Sequence, residues 1–177
     1  MFKFFILIFL FSCAHQPTQI TKKYNRKEWK HWVDYDRDCQ NTRHEILIAR
    51  SLSPVSRDRK GCNVIRGKWQ DYYYPETHTL ARAVDIDHLV PLKNAHDTGG
   101  AYWSKEQKEK FANDPENLVI TKLTYNRKKG SKGIDAWLPV HKDYACKYIK
   151  DWVKLKKKYR LFLSDKEKLT VRTSNCP

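Results

Sequence analysis

Apolar and polar residues alternate at two places in the middle of the chain. The first is RAVDIDHLV at 82–90, where Val84 and Ile86 alternate with acidic residues, and the second is the short apolar run NLVITK at 117–122. Such runs predict strands, since successive side chains of a strand point to opposite faces. The segment LTYNRKKGSKG follows directly and predicts a short helix ended by Gly130. The centre of the chain is therefore predicted as strand, long excursion, strand and helix.

Four further segments have the pattern of helices. Over 142–159 apolar residues recur at helical spacing, and the charged run KLKKKYR ends the segment. Three others begin with Ser or Thr followed three residues later by Glu or Gln, a pairing in which each side chain bonds a free backbone amide of the first turn. These capping boxes predict helices over 42–52, 104–112 and 164–171, begun by Thr42 with Glu45, Ser104 with Gln107 and Ser164 with Glu167.

Aromatic and β-branched residues dominate CNVIRGKWQDYYY at 62–74, which predicts a β-hairpin with Gly67 near its turn. The sequence contains no repeat, no low-complexity block and no long Pro/Gly linker. With 177 residues, the chain has the length of one ordinary domain that can bury a core. We therefore expect a single α+β domain over 24–177.

The N-terminus, MFKFFILIFLFSCAHQPTQ, has one basic residue followed by an apolar run. The run is shorter than the roughly 20 residues of a membrane-spanning helix, so it predicts a signal peptide over 1–13. Leu10 to Cys13 resembles a bacterial lipobox, which implies a lipid anchor on Cys13 and a flexible tether over 14–23. Ordinary cleavage nearby is the alternative. The chain is therefore expected to leave a bacterial cell, as an outer-membrane lipoprotein or a secreted protein, and to meet a membrane only through that anchor.

Four cysteines remain beyond the leader, an even number in a chain predicted to be exported: Cys39, Cys62, Cys146 and Cys176. An even number in this setting predicts two disulfides. Of the three pairings, Cys39–Cys62 with Cys146–Cys176 is favoured, because each bridge then ties one flank without crossing the middle. A zinc site is the competing interpretation, but no pair has the close C-x-x-C spacing typical of such sites.

The net charge of the chain indicates which class of partner it binds. There are 35 Lys and Arg against 20 Asp and Glu, for a net charge of +15, and the basic residues lie along most of the sequence. Aromatic residues make up 13% of the chain and are interleaved with the lysines. This combination indicates a polyanionic partner such as a nucleic acid, with a merely soluble basic protein as the less favoured alternative.

The central motifs resemble the HNH endonucleases of the ββα-metal superfamily, in the variant whose last His is replaced by Asn. The resemblance rests on DIDHLVPL at 85–92, FANDPENLVITKLTYNRKKGSKG at 111–133 and AWLP at 136–139. More loosely, DCQNTRHEIL and GKWQDYYY resemble a branch of secreted bacterial nucleases with flanking cysteines. Asp-His alone is a weak signal, but DHxxP, then Asn-Leu, then NRxxG in this order is specific. The resemblance implies a ββα-metal core with a small hairpin, wrapped by helices and stapled by disulfides.

Roles for the central residues follow from the resemblance and from the chemistry of phosphodiester hydrolysis. A neutral imidazole near pH 7 can take a proton from water, so His88 is the expected general base. Oxygen ligands suit a hard cation, so Asp87 and Asn126 are expected to hold one Mg²⁺ or Mn²⁺. Asn117 is implied to fasten the loop that carries His88. Neighbouring strand residues point apart, so Asp87 and His88 are expected to share a site only where the strand breaks into a loop, as Pro91 favours.

Basic residues around the predicted short helix are candidates for gripping a backbone phosphate. They are Arg127, Lys128, Lys129 and Lys132, with Arg43 as a further candidate. Each of them alone is more often a solvated surface charge. The central residues also have structural alternatives when taken singly, such as a core histidine or a strand-end acid. All of these central residues occur together, in the order that the resemblance requires, and this favours a functional role over the structural alternatives.

A second acidic motif competes for metal. DYDRDCQNTRHE places Asp34, Asp36, Asp38 and Glu45 at positions 1, 3, 5 and 12 of an EF-hand-like loop, after a possible helix at 26–33. The sixth position carries cysteine where the sharp turn asks for glycine. The predicted capping box also explains Glu45 without a metal, so a structural Ca²⁺ site is the less favoured interpretation.

Taken together, the sequence predicts an exported monomeric endonuclease that cuts DNA by metal-assisted hydrolysis, and it leaves open whether RNA is also cut. The resemblance implies products with a 5′-phosphate and a 3′-hydroxyl. Little sequence preference is expected, because no zinc finger or helix-turn-helix is present in the sequence. Two other functions stay open: a nucleic-acid-binding surface lipoprotein without catalysis, such as a DNA uptake receptor, and a module that binds polysaccharide or envelope.

Overall fold

The computed structural model describes residues 22–176, and within them it contains six α-helices and five β-strands. The helices are α1 (Thr42–Ala49), α2 (Leu92–Asp97), α3 (Lys105–Ala112), α4 (Leu123–Lys129), α5 (Lys142–Lys158) and α6 (Asp165–Thr173). The strands are β1 (Ser56–Arg57), β2 (Val64–Gln70), β3 (Thr77–Leu80), β4 (Val84–His88) and β5 (Leu118–Lys122). This mixture of helices and small antiparallel sheets confirms the predicted α+β class.

The predicted leader with Cys13, and the tether up to residue 21, lie outside the described residues. Within the described part of the chain, no helix is both long enough and apolar enough to cross a membrane.

The predicted order of strand, excursion, strand and helix is confirmed at the centre of the chain. β4 and β5 are antiparallel, from Val84 opposite Lys122 to His88 opposite Leu118, and α4 begins at the next residue after β5. The predicted break of the strand before His88 is wrong, because ladder pairing continues through His88. The break comes just after it, and α2 begins directly after Pro91. Asp87 and His88 therefore occupy the last two positions of a regular strand.

The two-stranded sheet lies between two hydrophobic clusters. Leu118 and Ile120 of β5 pack with Leu47 of α1 and Trp69 of β2, whereas Val119 packs into a larger cluster on the other side. Alternation along β5 thus sends side chains into both clusters. The members of the larger cluster include Trp29, Tyr73, Phe111, Tyr148 and Trp152, all at most 1% exposed. The sheet therefore contributes apolar side chains to the core on both of its faces.

Gly67 does not lie at a turn. Gly67 lies inside β2, where the register against β3 shifts between Arg66 and Trp69. The connection between β2 and β3 is residues 71–76, so the predicted turn position is wrong. A Cβ atom at Gly67 would lie 2.5 Å from the ring of Trp69. The glycine is therefore explained by close packing inside a strand and not by turn geometry.

Two of the three predicted capping boxes are confirmed, at Ser104 and Ser164. The third is wrong, because α1 is capped by the side chain of Asn41, which accepts hydrogen bonds from the amides of Arg43 and His44. The hydroxyl of Thr42 donates to the carbonyl of Val33 at 2.7 Å instead. Glu45 is consequently not engaged in a cap. The predicted helix at 26–33 is also wrong, since only a 3₁₀ turn over Arg26–Glu28 forms there.

The favoured cysteine pairing is confirmed. Cys39–Cys62 joins the segment before α1 to the segment before β2, and Cys146–Cys176 joins α5 to the C-terminus, with sequence separations of 23 and 30 residues. Each bridge ties one flank of the domain, as the sequence predicts.

Opening the second bridge should destabilise the protein. Closing a loop of 30 residues removes conformational entropy from the unfolded chain, so the pair of changes Cys146→Ser and Cys176→Ser should lower the free energy of unfolding by about 3 kcal/mol. Urea unfolding followed by tryptophan fluorescence measures this loss. An unchanged urea midpoint would contradict it.

Candidate active site

Three of the predicted site residues border one cavity of about 370 Å³ beside the end of β4. Asp87 and His88 come from the end of that strand, and Asn126 comes from the middle of α4. Residues that the sequence did not point to also border it: Tyr24, Arg26, Trp32 and Lys93. The ββα arrangement therefore brings together side chains that are 39 positions apart in sequence.

The imidazole of His88 is buried, with 5% of the residue exposed. Its Nε2 lies 2.9 Å from the carbonyl oxygen of Ala112. A carbonyl oxygen only accepts, so Nε2 carries the proton and Nδ1 is the basic nitrogen of the ring. Burial lowers the pKa of His88 to about 3, and the ring is neutral near pH 7. The side chain thus has one nitrogen anchored and the other unprotonated near pH 7.

Two aromatic neighbours hold the His88 ring from the N-terminal segment. The ring of Trp32 stacks on it at a centroid distance of 6.0 Å and 27° between planes, and the ring of His31 meets it edge-on at 5.9 Å. Trp32 has a φ of 61°, a left-handed conformation that is uncommon for a bulky residue. Sequence periodicity gave no signal for these contacts, which join residues more than 50 positions apart.

Asp87 is buried and paired. Its Oδ2 accepts hydrogen bonds from the Tyr73 hydroxyl at 2.7 Å and from Lys129 Nζ at 2.8 Å, whereas Oδ1 takes part in neither contact. Burial raises the pKa of Asp87, and the ammonium of Lys129 opposes that rise. The two donors on Oδ2 fix the carboxylate at the cavity wall.

Lys129 is fully buried and is not a phosphate contact, so that prediction is wrong. Besides Asp87, its ammonium reaches the carbonyl oxygen of His88 at 2.9 Å. The ammonium group of Lys129 therefore binds both Asp87 and His88 from the protein interior. In the sequence, Lys129 looks like its basic neighbours Arg127 and Lys128, which are exposed. The sequence therefore gave no signal that this lysine is buried.

Asp85 orients Asn126. Its Oδ2 accepts a hydrogen bond from Asn126 Nδ2 at 3.0 Å, which leaves the Asn126 carbonyl oxygen as the remaining polar atom of the amide. Oδ1 of Asp85 lies 3.9 Å from the guanidinium of Arg43. Arg43 in turn donates to the carbonyl oxygens of Ala81 and Val84 and does not border the cavity. The arginine that was a candidate for phosphate binding is thus engaged in holding β4 and Asp85.

Asn117 is fully buried and fastens the chain that follows His88. Its Oδ1 accepts from the amide of Val90 at 2.9 Å, and its Nδ2 donates to the carbonyl of Phe111 at 3.2 Å. Its backbone carbonyl accepts from the amide of Leu89 at 2.7 Å. This geometry agrees with the role implied by the sequence resemblance, since it ties the segment after His88 to the end of α3.

Positive charge surrounds the cavity in two groups. Arg127, Lys128 and Lys132 are exposed on α4 and just after it, as expected for candidates to bind phosphate. Arg26 and Lys93 are exposed at the cavity itself and were not predicted. Both groups can attract a polyanion toward the site.

The oxygen atoms at the cavity fit a hard divalent cation. Asp87 presents a carboxylate, and Asn126 presents an amide oxygen because its nitrogen is held by Asp85. Carboxylate and amide oxygens are the ligands that Mg²⁺ accepts, usually one or two per site beside water and phosphate. Sulfur ligands are absent from the cavity lining, since the four cysteines of the described chain form disulfides elsewhere.

Comparison with known proteins shows where the chain belongs. Residues 41–168 match the family described as GmrSD restriction endonucleases, C-terminal domain, and this range contains the central site residues from Asp85 to Asn126. An "Uncharacterized secreted protein" of Arthroderma benhamiae is 37% identical over 157 residues, which cover 86% of this chain and 76% of that protein. No solved structure matches the chain. The chain belongs to the family of GmrSD restriction endonucleases, C-terminal domain, and its candidate site lies within the matched range.

Proposed function

We propose that the protein is an exported HNH-type endonuclease that hydrolyses phosphodiester bonds of DNA or RNA with the help of one Mg²⁺ or Mn²⁺. The observation that carries the proposal is the convergence of Asp87, His88 and Asn126 on one cavity. The family supports the same reading, because its described members are endonucleases. A binding protein without catalysis has no need for this set of oriented polar groups.

Each residue of the site contributes a defined step. Nδ1 of His88 takes a proton from the attacking water, while the carbonyl of Ala112 keeps the ring in the correct tautomer. Asp87 and Asn126 would hold the cation, and Tyr73 and Lys129 keep the Asp87 carboxylate in place. A bound divalent cation would neutralise the charge that builds on the phosphate and on the leaving oxygen. Arg26 and Lys93 border the cavity and would orient the phosphate chain there.

The net positive charge of the protein supports a nucleic acid as its substrate. A net charge of +15 favours a polyanion, and contacts with phosphate carry no sequence information. Within residues 22–176 no helix-turn-helix or zinc site accompanies the cavity, so we expect cleavage with little sequence preference.

Export is supported by the two disulfides and by the relative described as secreted. The apolar leader at 1–13 is the expected signal, and a lipid anchor at Cys13 is proposed as the mode of retention at the cell surface. Mass spectrometry of the exported protein tests this point: an acylated N-terminal Cys13 supports the anchor, and an unmodified terminus contradicts it.

The chemistry of cleavage can be tested on the products. A DNA duplex incubated with the protein and Mg²⁺ should yield fragments with a 5′-phosphate and a 3′-hydroxyl, which ligase rejoins without further treatment. Fragments that carry a 3′-phosphate would contradict the proposed hydrolysis. A chain that binds DNA but leaves it intact would favour the binding function instead.

Changing Asp85 should impair the site by releasing Asn126. Asp85→Ala removes the acceptor of the Asn126 amide, and loss of such an orienting partner costs about 10- to 100-fold in metal affinity or activity. Asp85→Asn keeps an acceptor oxygen and should retain most of the activity. Initial rates of duplex cleavage at several Mg²⁺ concentrations measure both variants.

Asp165→Ala is the matched control, because this carboxylate is exposed on α6 far from the cavity lining. If Asp85→Ala and Asp165→Ala cleave at the same rate, Asp85 does not orient Asn126.

A further inference from the structure

A second acidic cluster lies apart from the cavity, in the loop before α1. We call residues 34–40 the acidic loop; one carboxylate oxygen each from Asp34, Asp36 and Asp38 lies within 4.8 Å of the others. Among the ion pairs of the described chain, none joins a lysine or arginine to these carboxylates. In a protein with 35 basic residues, such a cluster lacks the cation that would usually balance it.

One oxygen of this cluster is buried without a partner. Oδ2 of Asp34 accepts a hydrogen bond from the amide of Cys39 at 3.1 Å, but Oδ1 has essentially no exposed surface and no hydrogen-bond partner within the described residues. A buried carboxylate oxygen left unpaired is costly, because it has lost its water and gained nothing in return. A cation bound at the acidic loop would satisfy it.

Glu45 is not one of the three clustered carboxylates, but their charges act on it. The predicted capping box that would have occupied it does not form, since Asn41 caps α1. Burial and the nearby charges of Asp36, Asp38 and Asp34 raise the pKa of Glu45, which places its carboxylate in the field of the other three. The structural explanation that the sequence offered for Glu45 is therefore removed.

We propose that the acidic loop binds one Ca²⁺ ion through Asp34, Asp36 and Asp38, at a site separate from the active-site cavity. Calcium takes six to eight oxygen ligands in flexible geometry, which suits several carboxylates contributed by one loop. The four acids occupy positions 1, 3, 5 and 12 of an EF-hand-like loop. Cys39 at position 6 adopts a φ of 73°, the left-handed turn for which such loops use glycine.

Calcium binding would strengthen the fold near the active site. The acidic loop follows Trp32, which stacks on His88, and it carries Cys39 of the first disulfide. A cation that orders the loop therefore also restrains the segment that covers the His88 ring.

Calorimetric titration of the disulfide-bonded protein with CaCl₂, without nucleic acid, tests the proposal. We expect one Ca²⁺ per chain with a Kd on the order of 10⁻⁴ to 10⁻³ M, the range of extracellular sites of this type. Thermal unfolding in 10 mM CaCl₂ should then show a Tm raised by about 3 to 10 °C. Absence of both binding and a Tm shift in the unmodified protein would overturn the proposal.

Three variants assign the site. The pair of changes Asp36→Asn and Asp38→Asn should weaken Ca²⁺ binding by about tenfold or more, since both side chains are exposed and their loss should not unfold the protein. Asp165→Asn should bind Ca²⁺ as the unmodified protein does, and Asp165→Lys should do the same. Unchanged binding by the paired variant would place the ion elsewhere and overturn the proposal.

Discussion

Replacing His88 with alanine should lower the rate of DNA cleavage by about 10²- to 10⁴-fold, the usual contribution of a positioned general base. The reason lies in the ring's surroundings: Nε2 is held by the carbonyl of Ala112, and burial keeps the imidazole neutral, so Nδ1 carries no proton near pH 7. Cleavage of a fluorescently labelled duplex under single-turnover conditions measures the loss, and circular dichroism checks that the variant is folded.

His141→Ala is the matched control for this variant. His141 is exposed and precedes α5, outside the cavity lining, so its loss should leave cleavage unchanged. If His88→Ala cuts as fast as His141→Ala, the general base has been assigned to the wrong residue.

Replacing Lys129 with methionine should lower the free energy of unfolding by about 3 to 5 kcal/mol, because it leaves the Asp87 carboxylate buried without its cation. The ammonium of Lys129 is fully buried, 2.8 Å from Asp87 Oδ2, and also binds the carbonyl of His88. Methionine fills a similar volume to lysine. The decrease in the free energy of unfolding therefore comes mainly from the lost charge and hydrogen bonds and less from changed packing. Urea unfolding at pH 7 measures it.

Two further variants separate this effect from a general effect on α4. Lys128→Met changes the exposed neighbour and should alter the free energy of unfolding by less than about 0.5 kcal/mol. Adding Asp87→Asn to Lys129→Met removes the unpaired charge and should restore much of the lost stability. Equal losses in the single and double variants would show that Lys129 acts through packing alone.

The centre of the fold could be predicted because its signals are local. Alternation around Val84 and Ile86, the apolar run from Leu118, and Gly130 after a short helix each report the conformation of a few consecutive residues. Pairing of β4 with β5 then follows from their order and from the excursion between them. Cysteine pairing was likewise limited to three choices, of which the local one is found.

The residues that contact and hold the site residues could not be predicted, because these contacts join distant segments of the chain. The stacking of Trp32 on His88 and the hydrogen bond from Tyr73 to Asp87 join parts of the chain with no shared pattern. The burial of Lys129 beside exposed Lys128 depends on the rotation of α4 against β4, which composition does not report. Asp85 also gave no clear signal, since a strand-end acid and an orienting acid look the same in sequence.

The error at Thr42 had a physical cause as well. A Thr followed three residues later by Glu fits a capping box, but Asn at the preceding position is a better N-cap than Thr, and it takes the role here. Thr42 is then free to bond Val33 and Asn113, which anchors α1 to the segment before it. When two neighbouring residues can both cap a helix, tertiary contacts of their side chains thus help to determine which one does.

The central claim, that this chain cuts nucleic acid with a divalent cation at the cavity beside β4, is tested most directly with closed circular plasmid DNA. The unmodified protein in Mg²⁺ or Mn²⁺ should convert the plasmid to nicked and linear forms, and an excess of EDTA should abolish the conversion. Plasmid that stays closed and circular with either metal would contradict the claim, and so would equal cleavage in the presence of EDTA.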